Sequence, residues 1–192
     1  MLKNSLKLEN FFQIWTKRSI TPLGRVAVLK SLILSKLTFL WLLLPNPPDN
    51  FTKDLQKQCY KFVWKDQQDR ISRKTVINSI KNGGLGVPDI RVFMTSLKLT
   101  WIRKLKYTCH KWKNLILKQY PQVRKIDSFG PEIFLKNEHL NVFWQQVFKA
   151  YSCFFYYVKP SEECEILAEP FCYNNNVKVG NSVITAIFFN RF

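Results

Sequence analysis

Residues 21–48 read TPLGRVAVLKSLILSKLTFLWLLLPNPP and contain the longest apolar run of the chain. Thr21 followed by Pro22 is typical of a helix start, because threonine caps free N–H groups and proline fits the first turn. The prolines at 45, 47 and 48 end the helix. Between these signals, apolar residues recur at three- and four-residue steps, which indicates one helical face. That face consists of Val26, Leu29, Ile33, Leu37, Leu40 and Leu44.

This pattern predicts a helix from Pro22 to about Leu44 that is central and mostly buried, because most of its circumference is apolar. Its polar strip consists of Ser31, Ser35 and Thr38. The longest apolar run, from Leu32 to Leu44, is interrupted by Lys36 and is too short to span a bilayer, which takes about 20 apolar residues. We therefore predict a core helix and no membrane partner.

The segments on both sides also show helical periodicity. We predict further helices over residues 4–17, 51–65, 72–81, 89–107, 112–119 and 138–158, with Asp49 or Asn50 capping the second and Asp89 capping the fourth. Residues 82–88, NGGLGVP, lack the Lys-Ser/Thr ending of a P-loop, so we interpret them as a turn. Short strands are predicted at 177–179 and 183–189. The predicted fold is mainly α, a multi-helix bundle with a short, poorly defined α+β C-terminal segment.

Positive charge is concentrated in the first two-thirds of the chain. The 192 residues carry a formal net charge of +17, whereas residues 1–126 hold 25 basic and 6 acidic residues, and residues 127–192 hold 5 basic and 7 acidic ones. So much like charge opposes compaction, and a polyanionic partner relieves it. We predict a basic helical region over 1–126 and, over 127–192, an aromatic-rich helix with possible strands that ends as if truncated.

Catalytic and metal-binding patterns are not evident in the sequence. The six aspartates are not adjacent, although two-metal nucleotidyl transfer needs converging carboxylates. Five cysteines at irregular spacing contain no Cys-x2-Cys pair; a loose site at Cys164 and Cys172 is the weaker alternative to idle thiols. The odd cysteine count favours a reducing interior, the nucleus or cytoplasm rather than a secreted location. We predict no catalytic residue, no metal and no cofactor.

Basic side chains recur at four-residue steps at Lys53, Lys57, Lys61 and Lys65. A solvated lysine face is the alternative to phosphate contact, and the surrounding charge imbalance favours phosphate contact. The predicted nucleic-acid-binding residues are Arg18, Arg25, Lys36, Lys53, Lys57, Lys61, Lys65, Arg70, Arg73, Lys74, Arg103 and Lys104. Trp41 or Trp101 could stack on bases, although most aromatic residues are expected in the core.

Several ordered strings resemble non-LTR (LINE-type) retrotransposon reverse transcriptases. They are WTKRSITPLGRVAVLKSLILSKLT at 15–38, LPNPP at 44–48, FVW at 62–64, RISRK at 70–74, GGLGVPDI at 83–90 and LKLTWIR at 97–103. The resemblance covers about residues 10–107 well and the remainder weakly, where PFCYN at 170–174 and VKVG at 177–180 look like a later segment. The family's palm aspartates, endonuclease and Cys/His knuckle are not in this sequence.

The resemblance implies a piece of the thumb and connector region, which in such polymerases grips the template–primer duplex. The chain is then not an enzyme on its own, although the parent family is an RNA-directed DNA polymerase. Its expected partners are RNA or an RNA/DNA duplex and the missing palm and fingers of the parent polyprotein. The alternative is a helical packing or scaffold remnant of a degenerate element, with no independent function.

Overall fold

The chain is mainly α-helical. A computed structural model describes residues 2–126, 129–135, 140–157, 178–179 and 182–183. The α-helices in these ranges are α1 Leu2–Thr16, α2 Pro22–Val28, α3 Ser35–Leu43, α4 Asp49–Trp64, α5 Arg73–Ile77, α6 Ile90–Tyr107, α7 Lys111–Gln119, α8 Glu132–Leu135 and α9 Val142–Tyr157. A π-helical segment, Leu29–Leu34, joins α2 to α3, and 3-10 turns occupy Ile80–Asn82 and Pro121–Lys125.

Two short strands follow the helices. Strand β1, Lys178–Val179, pairs antiparallel with β2, Ser182–Val183, so that Lys178 lies opposite Val183. The rest of the predicted strand residues, Val177 and 184–189, lie outside the described residues.

The predicted start of the central helix is confirmed. Thr21 has an extended backbone, its side chain accepts a hydrogen bond from the N–H of Gly24 at 3.2 Å, and Pro22 is the first helical residue. The helix then continues through the π-helical segment to Leu43, and Leu44 is already extended. The three hydroxyl groups of its polar strip form hydrogen bonds within the helix, because each donates to the carbonyl four residues earlier. These bonds are Ser31 to Ala27 at 2.8 Å, Ser35 to Ser31 at 2.6 Å and Thr38 to Leu34 at 2.9 Å.

Burial of this helix is less complete than predicted. Val26, Leu29, Ile33, Leu34, Leu37 and Trp41 are buried, but Phe39 is 66% exposed and Leu44 is 53% exposed. The apolar circumference is therefore covered on one side only. The continuous span Pro22–Leu43 is 22 residues long, so by length and composition alone it could cross a membrane, as many core helices could. The run from Leu32 to Leu44 is itself short, but the helix that contains it begins ten residues earlier, at Pro22, so the length of the run alone does not exclude a membrane span.

The ends of the other helices depend on local capping. Asp89 accepts hydrogen bonds from the N–H groups of Arg91 at 2.8 Å and Val92 at 3.1 Å, which confirms the predicted cap of α6. By contrast, α4 begins at Asp49 itself, after Pro48, so neither predicted cap of that helix is correct. Helix α5 is shorter than the predicted 72–81 because Asn78 is extended after Ile77.

The glycine segment is a turn that folds back on α5. Gly83 and Gly86 have φ of 75° and 67°, the left-handed region that favours glycine. Gly84 lies so close to the chain that an added Cβ would stand 2.0 Å from the carbonyl oxygen of Asn78. The N–H groups of Leu85 and Val87 both donate to the carbonyl of Val76, at 3.2 and 3.1 Å. The interpretation as a turn is confirmed.

The chain forms two compact units, Met1–Met94 and Thr95–Phe192, and the boundary falls within α6. In the first unit, α1, the central helix and α4 supply the core. Its buried apolar residues include Phe12, Val26, Leu29, Ile33, Leu55, Cys59, Phe62, Val63, Val76 and Val87.

The second unit has one core, which contains residues from both the basic region that ends at residue 126 and the region that follows it. Its buried members are Ile102, Leu105, Tyr120, Val123, Ile126, Phe134, Leu140, Trp144, Val147, Phe148 and Tyr151. The rings of Phe134 and Phe148 stack at 4.9 Å. The division by charge, at 126 and 127, is therefore not a division by packing, because α6, α7 and α9 contribute to the same cluster.

Candidate nucleic-acid interface

One predicted phosphate-binding residue, Arg25, is a structural residue. It is 1% exposed. Its guanidinium donates to four backbone carbonyls: Nη1 to Phe62 at 2.8 Å, Nε to Ile20 at 3.1 Å, and Nη2 to Arg18 at 3.2 Å and Thr16 at 3.4 Å. Burial lowers the pKa of Arg25 below its ordinary value. Because four of its five N–H groups donate to carbonyls inside the first unit and the side chain is buried, Arg25 does not face a ligand, and we remove it from the interface.

Three of the four stripe lysines lie together on α4. Lys53, Lys57 and Lys61 are exposed on one side of the helix, while Leu55, Cys59, Phe62 and Val63 are buried on the other. Lys57 forms an exposed ion pair with Asp54, with 3.6 Å between Nζ and Oδ1. Exposed pairs of this kind contribute about 0–1 kcal/mol, so the lysine can exchange its partner easily. Lys53 and Lys61 form no ion pair with any residue that the structure describes.

Lys65 departs from the stripe. It is the residue that ends α4, with φ of 55° and ψ of 45°, and the next residue, Asp66, also has a positive φ of 58°. Its side chain is exposed but does not continue the helical row. Spacing alone could not predict this, because the four-residue step places a side chain only while the helix continues.

The three basic residues around the start of α5 are exposed. Arg73 donates from Nε to Asp69 at 2.8 Å and lies over the ring of Tyr60, with 4.9 Å from Cζ to the ring centre. Arg70 donates to the side chain of Gln67 at 3.1 Å. Lys74 is exposed and has no ion pair among the described residues. Arg73 is thus held in place on a tyrosine ring, whereas Lys74 can reorient.

Two further predicted residues lie on aromatic rings near α1. Arg18 stands 4.2 Å from the ring centre of Trp15, and the Nζ of Lys36 stands 3.8 Å from that of Phe11. Both cations are exposed. A cation over a ring face is stabilised by about 0.5–1 kcal/mol at such exposed sites, so both positions are partly fixed and still reachable from solvent.

The second unit begins with a densely basic stretch. Residues 95–126 contain nine basic residues and no acidic one. Of the predicted pair, Arg103 is exposed, whereas Lys104 is half-buried with its Nζ 4.5 Å from the ring centre of Trp101.

The two tryptophans considered for stacking belong to packed clusters. Trp41 is buried and meets Phe93 edge to face at 6.1 Å. Trp101 is half-buried and contacts the rings of Trp112, Phe143 and Trp144 at 5.5 to 5.9 Å. Neither tryptophan offers a free ring face to a base. Both agree with the expectation that most aromatic residues belong to the core.

Lys98 is a residue whose placement the sequence did not reveal. A lysine is expected to face solvent, yet Lys98 of α6 is fully buried, with its Nζ 4.3 Å from the ring centre of Phe143. Burial lowers the pKa of Lys98 to about 8. The available signal was spacing, because Ile90, Met94, Lys98 and Ile102 follow at four-residue steps and all four are buried.

An open groove of about 570 Å³ lies between α1 and α4 in the first unit. Lys17 and Lys61 line it together with the carboxylates of Glu9 and Asp66. Because the two signs of charge balance there, the groove itself is a poor phosphate site. Lys61, the last lysine of the row on α4, lies at the edge of the groove, and the exposed row from Lys53 to Lys61 is the better site.

Titratable groups outside this surface are not arranged for chemistry in the part of the chain that the structure describes. Within those ranges, no three His, Cys, Asp or Glu side chains are grouped so that they could hold a metal ion. Cys59 is buried, and burial raises the pKa of its thiol to about 12, so it is an unreactive core residue. Cys164 and Cys172 lie outside the described residues.

No family model matches the chain, and no solved structure matches it.

Proposed function

We propose that this chain binds duplex nucleic acid, RNA or an RNA/DNA hybrid, through its exposed basic helices. The observation that carries the proposal is the row of Lys53, Lys57 and Lys61 on the outer side of α4. At a rise of 1.5 Å per residue, the three side chains start roughly 6 Å apart along the helix. Such a row can meet several phosphates of one duplex, since nucleic-acid affinity comes mainly from phosphate contacts.

The charge balance of the whole basic region supports this proposal. Residues 1–126 hold 25 basic residues against 6 acidic ones. The ion pairs Lys57–Asp54, Arg73–Asp69 and Arg91–Asp49 lie at the surface. The acidic residues of this region are thus too few to neutralise most of its cations. A polyanion would relieve their mutual repulsion, which favours binding without dependence on base sequence.

We further propose that the chain is a non-catalytic piece of a retrotransposon-type reverse transcriptase, as the sequence resemblance implies. The basic helices over residues 1–126 then correspond to the thumb and connector region, and the β1–β2 pair belongs to the α+β segment at the C-terminal end of the second unit. In this proposal the polymerase chemistry resides in the absent palm and fingers, and this chain holds the template–primer duplex.

The test is a titration of the full chain against a labelled RNA/DNA hybrid at several salt concentrations, followed by fluorescence anisotropy. We expect the logarithm of the association constant to fall linearly with the logarithm of salt, with a slope of about −0.9 for each phosphate neutralised. A hybrid of unrelated sequence should compete equally well. Binding whose affinity does not change with salt would contradict the proposal.

A packing role is the second candidate, and one observation favours it. The central helix exposes Leu23, Phe39, Leu43 and Leu44 along its length, an apolar surface that another domain could cover. In that case the isolated chain should be poorly soluble and loosely packed. Sharp near-UV circular dichroism bands from a soluble monomer would count against it, because they need fixed aromatic packing.

A further inference from the structure

A second groove, of about 490 Å³, lies in the second unit between α6 and α9. One face of α6 forms its long wall, with side chains at steps of three and four residues that extend over roughly 16 Å of helix. The polar and aromatic residues that line it are Ser96, Thr100, Arg103, Lys106, Tyr107, Tyr151 and Phe154, and the apolar ones are Leu99 and Ile102.

Two aromatic rings in this groove are open to solvent. Tyr107, the last residue of α6, is 78% exposed, and Phe154 of α9 is 49% exposed. Phe154 follows the buried residues Val147 and Tyr151 at helical spacing, but no described element covers its ring. Exposed rings at a groove are a recurrent platform for nucleobases, since every base has a flat face that can stack.

All charged side chains that line this groove are positive. Arg103 and Lys106 line it, and no carboxylate does. Lys106 leans on the opposite wall, with its Nζ 5.8 Å from the ring centre of Tyr151. Arg103 is exposed one helical turn before Tyr107, so a cation and a ring are presented side by side. This groove thus differs from the one between α1 and α4, where Glu9 and Asp66 offset the lysines.

We propose that this groove binds unpaired nucleotides, with bases stacked on Tyr107 and Phe154 and phosphates contacted by Arg103 and Lys106. The inference rests on the proposed nucleic-acid function and adds a substrate class to it. A single strand is favoured over a duplex because ring stacking needs a base face that a neighbouring base pair does not already cover. The second unit then holds a single-stranded stretch, whereas the outer side of α4 contacts a duplex.

The test uses the full chain, a labelled single-stranded RNA of about ten nucleotides and a hybrid duplex, with the double variant Tyr107→Ala/Phe154→Ala. We expect single-strand affinity to fall about 10- to 100-fold, while duplex affinity changes less than about threefold. The conservative variant Tyr107→Phe/Phe154→Tyr keeps both ring faces and should bind like the wild type. Tyr107 is largely exposed and Phe154 is about half exposed, so far-UV circular dichroism should show that the alanine variant stays folded.

Three other results would overturn the inference. Equal affinity of wild type and alanine variant for the single strand would exclude the rings as a base platform. An equal loss with single strand and duplex would indicate a general phosphate surface. Competition by a polyglutamate peptide that also depends on Tyr107 and Phe154 would indicate an acidic protein partner. If wild-type chain binds neither nucleic acid, the proposed function itself fails, which is a different outcome from these three.

Discussion

The two compact units each bury a cationic side chain, and they accommodate it differently. In the first unit, the planar guanidinium of Arg25 donates in four directions to carbonyls of Thr16, Arg18, Ile20 and Phe62. In the second, Lys98 lies against the ring face of Phe143 at 4.3 Å, and burial lowers its pKa to about 8. The guanidinium of an arginine has five N–H donors in one plane and can donate to several carbonyls at once. The ammonium of a lysine is a compact charge that is costly to remove from water. The first cation should therefore stabilise its unit, and the second should weaken its unit at neutral pH.

The largest expected effect is at Arg25. Arg25→Met removes the donors from four carbonyls, and a buried acceptor left without a partner costs about 1–3 kcal/mol. We expect a loss of about 3 kcal/mol in the free energy of unfolding, measured by urea denaturation. Hydrogen exchange should place the loss in the first unit.

Arg25→Lys is the matched control for this substitution. It keeps the charge and the aliphatic stem, but one ammonium cannot reach four carbonyls that lie in different directions. It should therefore also destabilise the first unit. A stability close to wild type in Arg25→Met would contradict the role given to these hydrogen bonds.

The next effect is pH-dependent and belongs to Lys98. The unfolded pKa of a lysine is about 10.4, and the folded pKa is about 8, so between these values the unfolded state holds more protons. Stability should therefore rise as pH increases from 8 to 10.5. Lys98→Met should be more stable than wild type by on the order of 2 kcal/mol below pH 8, and this advantage should shrink toward pH 10.5. An advantage that does not vary with pH would show that Lys98 is not a desolvated cation.

The smallest effect concerns the ring beneath Lys98. Phe143→Leu removes the ring face but keeps an apolar side chain, and a cation–ring contact of this kind contributes about 0.5–2 kcal/mol. A double-mutant cycle with Lys98→Met should give a coupling free energy of about 1 kcal/mol at pH 6. The coupling should vanish near pH 10.5, where the folded lysine is neutral. A coupling that persists at high pH would indicate packing rather than charge.

Features set by neighbouring residues were predictable from the sequence. The caps at Thr21 and Asp89 are confirmed, because each depends on a side chain and N–H groups only two or three residues away. The exposed row on α4 follows from four-residue spacing in the same way, up to Lys61. The prediction that Lys65 continues the row is wrong, because α4 ends at this residue in a left-handed conformation.

Features set by distant contacts were not predictable. The sequence alone suggests that Arg25 is a surface cation. In the structure its Nη1 donates to the carbonyl oxygen of Phe62, 37 residues later in the chain, at 2.8 Å. Phe154 has the period of a core residue, but whether a ring is covered depends on which elements pack beside it. The groove between α6 and α9 joins residues that are about 50 positions apart, and local pattern carries no information on such a meeting.

The proposed duplex surface can be tested with two variants of equal charge. One is K53Q/K57Q/K61Q, which removes the row on α4, and the other is K30Q/K81Q/K149Q, which removes three exposed lysines elsewhere. The measured quantity is the slope of the logarithm of the association constant for the RNA/DNA hybrid against the logarithm of salt. We expect the first variant to lose about 2–3 units of slope, at about 0.9 per phosphate contact, and the second to resemble the wild type. Equal changes in both variants would contradict a specific contact by α4, because binding would then depend on net charge alone.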